Sequence, residues 1–196
     1  MKKGHIMKRT GLKLPEILTD DEVKAFLGVF NKRYIASYKN YMMCKLSLET
    51  GMRISEVINL KIQDIDWNTG RTHIKDGKGS QDRIVFINNN LLEELVKLGE
   101  RCELGTTGYL FVTRTGKPLN RKNLDRMVKI YAEKAGLVKK LHFHIFRHTY
   151  ATKVLRETGN LRTTQKILGH KNIANTVIYT HLTDEDVMMA MTDSLY

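Results

Sequence analysis

Leu141-His142-Phe143-His144-Ile145-Phe146-Arg147-His148-Thr149-Tyr150-Ala151-Thr152 sets a histidine and an arginine three positions apart, His144 and Arg147. On a helix that spacing puts both side chains on one face. Ile145, Phe146, Tyr150 and Ala151 supply the apolar stripe that would anchor such a helix in a core. A polar pair is thereby held on a packed element, which keeps a reactive geometry rigid. The pair offers one permanent cationic fork for anionic oxygens and one group that moves a proton near neutral pH. Alone the signal is weak, because exposed helix faces often carry histidine and arginine with no task. A metal reading of His142, His144 and His148 is weaker still. His144 and His148 have the i, i+4 spacing, but the glutamate that follows the first histidine in a zinc-protease helix is missing.

Composition narrows the partners. The 196 residues hold 33 Lys+Arg against 21 Asp+Glu, a net charge of +12. Such an excess favours a polyanion, nucleic acid before an anionic membrane surface. No apolar run approaches transmembrane length, and the first residues lack the apolar core of a signal peptide. Cys44 and Cys102 form no disulfide framework or ligand spacing, so a reducing, cytoplasmic setting is the expectation.

Moving back to the start, residues 1–14 read as a basic leader carrying Lys2, Lys3, Lys8, Arg9 and Lys13. A first helix follows, capped by Thr19 or Asp20, with Val23, Phe26, Leu27 and Phe30 as its stripe. A second runs from about Ser37 to Glu49 and stops at Gly51. Arg53 sits at the mouth of a short helix opened by Ser55, and Glu56, three positions on, is placed to hold it. Residues 71–75 and 82–87 read as two strands of a β-hairpin with Lys78 in the glycine-flanked turn. Leu91 to Leu98 read as a helix and Tyr109 to Val112 as a short strand or extended piece. Asn120 caps a long helix stopped by Gly136, with Arg121, Lys122, Arg126 and Lys129 as a basic stripe. Leu161 to Gly169 give a short helix with His170 directly after it, and Tyr179 follows nine residues on. Residues 183–196 read as an acidic-capped helix whose Val187, Met188, Met191 and Leu195 form an apolar face.

In order along the chain stand Arg53, Lys78, His144-x-x-Arg147, His170 and Tyr179. On Thr50-Gly51-Met52-Arg53-Ile54-Ser55-Glu56, Gly77-Lys78-Gly79, His144 to Thr152, Leu168-Gly169-His170 and Tyr179-Thr180-His181, the chain resembles the tyrosine recombinase, or phage integrase, family. The resemblance covers about Leu14 to Leu182 and implies an α+β fold, mainly helical, with a small antiparallel β-sheet or hairpin. Residues 15–182 would then be the catalytic domain, and 183–196 a C-terminal helix that docks on a neighbouring protomer.

The resemblance also implies a site-specific DNA recombinase. Arg53 and Arg147 would grip the non-bridging phosphate oxygens, with His170 adding a hydrogen bond. Tyr179 would attack, His144 would take its proton and Lys78 would protonate the departing 5′ oxygen. The product is a 3′-phosphotyrosyl link, made without metal, ATP or other cofactor, on double-stranded DNA and by a homo-oligomer, a tetramer on paired sites. Family members usually carry a helical DNA-binding domain upstream, so the chain reads as a short member or as a piece of a longer one. There are two rivals: a type IB topoisomerase-like enzyme, which shares the nucleophile and cation chemistry, and a non-catalytic DNA-binding regulator on the same fold. The regulator would be expected to lack the tyrosine or an arginine.

Overall fold

The computed structural model describes residues 15–75 and 82–180. The basic leader, the turn with Lys78 and the expected C-terminal helix lie outside the described residues.

Helix α1 (Asp20–Gly28) begins as its sequence predicts. The Thr19 side chain accepts from the Glu22 backbone N–H, and Glu22 returns a bond to Thr19 N at 2.8 Å. This reciprocal cap satisfies two donors that a helix start leaves orphaned. Of the four stripe residues, Phe26 and Phe30 are buried, and Val23 and Leu27 pack partly against the core. The Phe26 ring lies 5.3 Å from that of Phe146, so α1 docks on the helix that carries His144 and Arg147.

Helix α2 (Ile35–Thr50) has buried residues on every side, among them Tyr41, Met42, Met43, Cys44 and Leu46. A helix apolar all round belongs in the middle of a core, and α2 packs on α6 (His144–Thr158) there. It ends at Gly51, with φ of +66°. Short α3 (Ile54–Asn59) and a 3-10 turn (Ile62–Asp64) lead to β1 (Arg71–Ile74) and β2 (Arg83–Phe86). These two pair antiparallel in the register Arg71↔Phe86 to Ile74↔Arg83. Alternation turns Thr72, Ile74, Arg83 and Val85 inward and leaves Arg71, His73, Ile84 and Phe86 exposed. An arginine on the inward face departs from that pattern's usual chemistry.

Helix α4 (Asn89–Arg101) is capped by Asn88 and buries Leu91, Leu92, Leu95 and Leu98. Of the two readings for Tyr109 to Val112, strand or extended piece, the extended piece is the one found. Tyr109 makes a single bridge to Lys61 and Val112 one to Pro118, so the piece is extended but has no continuous partner. Helix α5 (Arg121–Lys134) starts at Asn120, whose side chain accepts from Lys122 N. It buries Leu124, Met127, Val128 and Ala132 and leaves the basic stripe exposed. Helix α7 (Leu161–Leu168) ends at Gly169, and a four-residue helix α8 (Ala174–Val177) precedes Tyr179. Among the described residues the outcome is the expected mainly helical α+β fold with a two-stranded antiparallel sheet.

Candidate active site

Arg147 sits on the buried face of α6, only 1% exposed. Its Nη1 donates to the Gly51 carbonyl at 2.7 Å and its Nη2 to the Leu168 carbonyl at 2.5 Å. One guanidinium thus ties the turn before Arg53 to the helix end before His170. The third kind of donor, Nε, is buried without a hydrogen-bond partner. An unmet donor on a buried cation is costly, and an anion offsets that cost. Burial first, then the charge of Arg53, push the Arg147 pKa down to about 9, so it is still a cation at neutral pH.

Arg53 is the N-cap residue of α3 and keeps 26% of its side chain exposed. Glu56 holds it twice, accepting from Arg53 N and from Nη1, each at 2.7 Å. Gly51 makes this approach possible. A Cβ there would run into the Tyr150 ring, and its φ is one that side chains rarely adopt.

His170 follows the left-handed Gly169, which ends α7. Its Nδ1 lies 2.9 Å from the buried Thr176 hydroxyl, which fixes the ring's orientation. When Thr176 donates to Nδ1, the other ring nitrogen carries the proton and is itself a donor. Burial, then the Arg147 and Arg53 charges, lower the His170 pKa to about 4, so the neutral ring prevails near pH 7.

Tyr179 is 1% exposed. Its hydroxyl lies 2.9 Å from His148 Nδ1. His144, expected to take the tyrosine's proton, instead packs edge-on against His148, with ring centroids 4.7 Å apart. The ring that meets the hydroxyl is therefore one residue beyond Arg147. Burial pushes the Tyr179 pKa up to about 12, against the Arg147 and Arg53 charges that favour phenolate. Burial and neighbouring rings lower His148 to about 4.

Arg53, His144, Arg147, His170 and Tyr179 lie close enough for their charges to bear on one another; Lys78 lies outside the described residues. Thr176, Arg83 and the contact role of His148 were missed in the sequence. Only the short spacing of Thr176 to Tyr179 and of His148 to Arg147 hinted at two of them. Beside the site runs an open groove of about 1330 Å³ between the two strands and α7, whose lining includes Arg71, Lys75, Arg162, Lys166 and Lys171 together with the acidic Asp66 and Asp82. Among the described residues no cluster of metal-ligating side chains occurs and no helix is long and apolar enough to cross a membrane.

Buried arginines, an oriented imidazole and a tyrosine in hydrogen-bond contact with a histidine are groups that can hold an anion beside an oxygen nucleophile. The chain matches the phage integrase family over residues 16–186 and belongs to that family. It is 36% identical over 180 residues to tyrosine recombinase XerD of Staphylococcus saprophyticus, covering 89% of this chain and 61% of that protein. XerD of Staphylococcus aureus strain Mu50 gives the same identity and coverage. The chain thus spans 61% of the length of these relatives. Among solved structures, the XerA recombinase superposes with a TM-score of 0.80 at 31% identity, covering 97% of this chain and 67% of that one. The XerH site-specific recombinase bound to a palindromic difH substrate, in a post-cleavage complex, superposes with a TM-score of 0.79 at 29% identity, covering 92% and 53%.

Proposed function

We propose that the protein is a site-specific DNA recombinase that cuts and rejoins strands through a 3′-phosphotyrosyl intermediate. The single observation that carries the reading is the buried Tyr179 hydroxyl in contact with His148, the residue next to Arg147, which holds a buried, unmet N–H. A phosphodiester resists attack because its charge repels nucleophiles. Arg53 and Arg147 offset that charge as phosphorus becomes five-coordinate, and His170 donates a further hydrogen bond. The arginine fork suits the non-bridging oxygens and never loses its charge near neutral pH.

Tyr179 Oη attacks phosphorus as its proton passes to His148, the ring already in contact with it, with His144 packed behind. The bond from phosphorus to the 5′ oxygen breaks, and Lys78 gives that oxygen a proton. Because the phosphotyrosyl bond keeps the energy of the linkage it replaces, a 5′ hydroxyl from another strand reverses the attack without ATP. Arg53 and Arg147 take the place of the metal ions that other phosphoryl-transfer enzymes use. The partner is double-stranded DNA, recombined by a tetramer on paired sites, with residues 183–196 contacting the next protomer.

The test uses duplex DNA interrupted near the cut, so that the released fragment diffuses away and the covalent adduct accumulates. Wild type forms the adduct, and Tyr179→Phe binds the same DNA and forms none. An adduct that persists in Tyr179→Phe would remove the assignment. Binding of a specific duplex with no adduct in wild type would favour the non-catalytic regulator.

A further inference from the structure

Arg83 is the inward-facing arginine of β2, its side chain 6% exposed. All three kinds of donor meet oxygen. Nη1 and Nη2 donate to the two Glu56 carboxylate oxygens at 2.6 and 2.7 Å, and Nε donates to the Ile167 carbonyl at 3.1 Å. Glu56 is the same carboxylate that holds Arg53. Burial alone would raise the Glu56 carboxyl, but the Arg83 hydrogen bonds and charge outweigh it and hold the group ionised. The stem of Arg83 also closes on the turn before His170: a Cβ on Gly169 would fall 2.8 Å from Arg83 Cδ. One side chain therefore joins the hairpin that leads to Lys78, the carboxylate behind Arg53 and the end of α7.

Stability is a poor account of this arrangement, since apolar replacement of a buried ion pair is often neutral or better. Geometry and charge give a better one. A two-pronged pairing fixes the plane of the carboxylate and so the direction from which Arg53 is held. The carboxylate is also shared. One negative charge between two guanidinium groups leaves a net positive charge, and Arg53 is the more open of the two, 26% exposed against 6%. Without Arg83, Glu56 would be free to turn wholly onto Arg53 and neutralise it.

We propose that Arg83 is a positioning residue for strand cleavage: by engaging Glu56 with both prongs, it keeps Arg53 aimed at the scissile phosphate and keeps its charge available there. The inference rests on the recombinase reading and adds a residue that acts only through another.

Two interrupted DNA duplexes test it, identical except that one carries a neutral methylphosphonate at the scissile linkage. Wild-type adduct on ordinary DNA, absent in Tyr179→Phe, secures the recombinase reading; its absence from wild type sinks that reading and not specifically this one. The methylphosphonate lacks the charge that Arg53 offsets, so Arg53→Ala loses less on it than on the phosphodiester. Arg83→Met shows the same selectivity. Its phosphodiester-to-methylphosphonate rate ratio falls about tenfold below wild type, the size that loss of an orienting partner has at metal sites. Arg83→Lys, which keeps the charge and loses the fork, lies between. The double variant Arg53→Ala/Arg83→Met loses no more than Arg53→Ala, as expected when one residue works through the other. Each ratio is taken within one preparation, so a partly unfolded sample lowers both rates alike and leaves it unchanged. Equal losses on both substrates, independent losses in the double variant, or no cleavage of either substrate by both Arg83 variants would overturn the proposal.

Discussion

Tyr179 is poised by opposing forces. Burial raises its pKa to about 12, while two guanidinium charges pull the other way. At neutral pH the phenol is protonated, so attack requires a proton acceptor, and His148 is the ring in place to act. Removing that ring leaves the reaction dependent on whatever phenolate the solvent pH supplies. His148→Ala should therefore form adduct about a hundredfold more slowly near pH 7, within the usual range for a general base. Its rate should rise steeply with pH toward the tyrosine's pKa, so the deficit shrinks at alkaline pH. Adduct rates measured from pH 6 to 9 check this; a deficit constant across that range would remove His148 as the acceptor. His144, Arg147, His170 and Tyr179 could be picked out of the sequence because they fall in motifs of fixed order. His148 could not be assigned a contact, because which of two rings on one helix face meets the tyrosine depends on how α8 returns the chain, and that is a tertiary fact.

At the scale of elements, three left-handed or cap positions set the site. Gly51 ends α2 and turns the chain so that Arg53 opens α3, Gly169 ends α7 just before His170, and Asn120 starts the basic α5. Gly51→Ala would force a Cβ against the Tyr150 ring at a backbone angle that disfavours side chains. The cost is about 2 kcal/mol, which lowers the unfolding midpoint by roughly 4–8 °C in a domain of this size. Calorimetry checks it, and an unchanged midpoint would show that the turn relaxes freely. The helix ends were legible because caps and glycines act locally, over three or four residues. Tyr109 to Val112 stayed open between strand and extended piece for the opposite reason. Its apolar run signals burial, but a strand also needs a partner of equal length, and here Lys61 and Pro118 each supply only one bridge. The inward placement of Arg83 was likewise illegible, since its partners lie at Glu56 and Ile167, 27 and 84 positions away.

At the scale of the whole molecule, the net charge of +12 finds a shape. Basic side chains outnumber the acidic Asp66 and Asp82 along the groove beside His170, and α5 exposes a second stripe. Such a surface binds a polyanion by releasing its counterions, so affinity for duplex DNA should fall steeply with salt. Lys166→Ala, which changes the groove wall and no group at the centre of the site, should weaken binding to all sequences alike. It should also reduce the slope of log affinity against log salt by about one. Titrations at several salt concentrations check both; an unchanged slope would place the DNA elsewhere.

The most direct measurement digests the trapped protein–DNA adduct with trypsin and locates the attached nucleotide by mass spectrometry. The account predicts a 3′-phosphate ester on the Tyr179 oxygen, within the peptide that follows Lys171. Attachment to any other residue, or to the 5′ end of the broken strand, would contradict it.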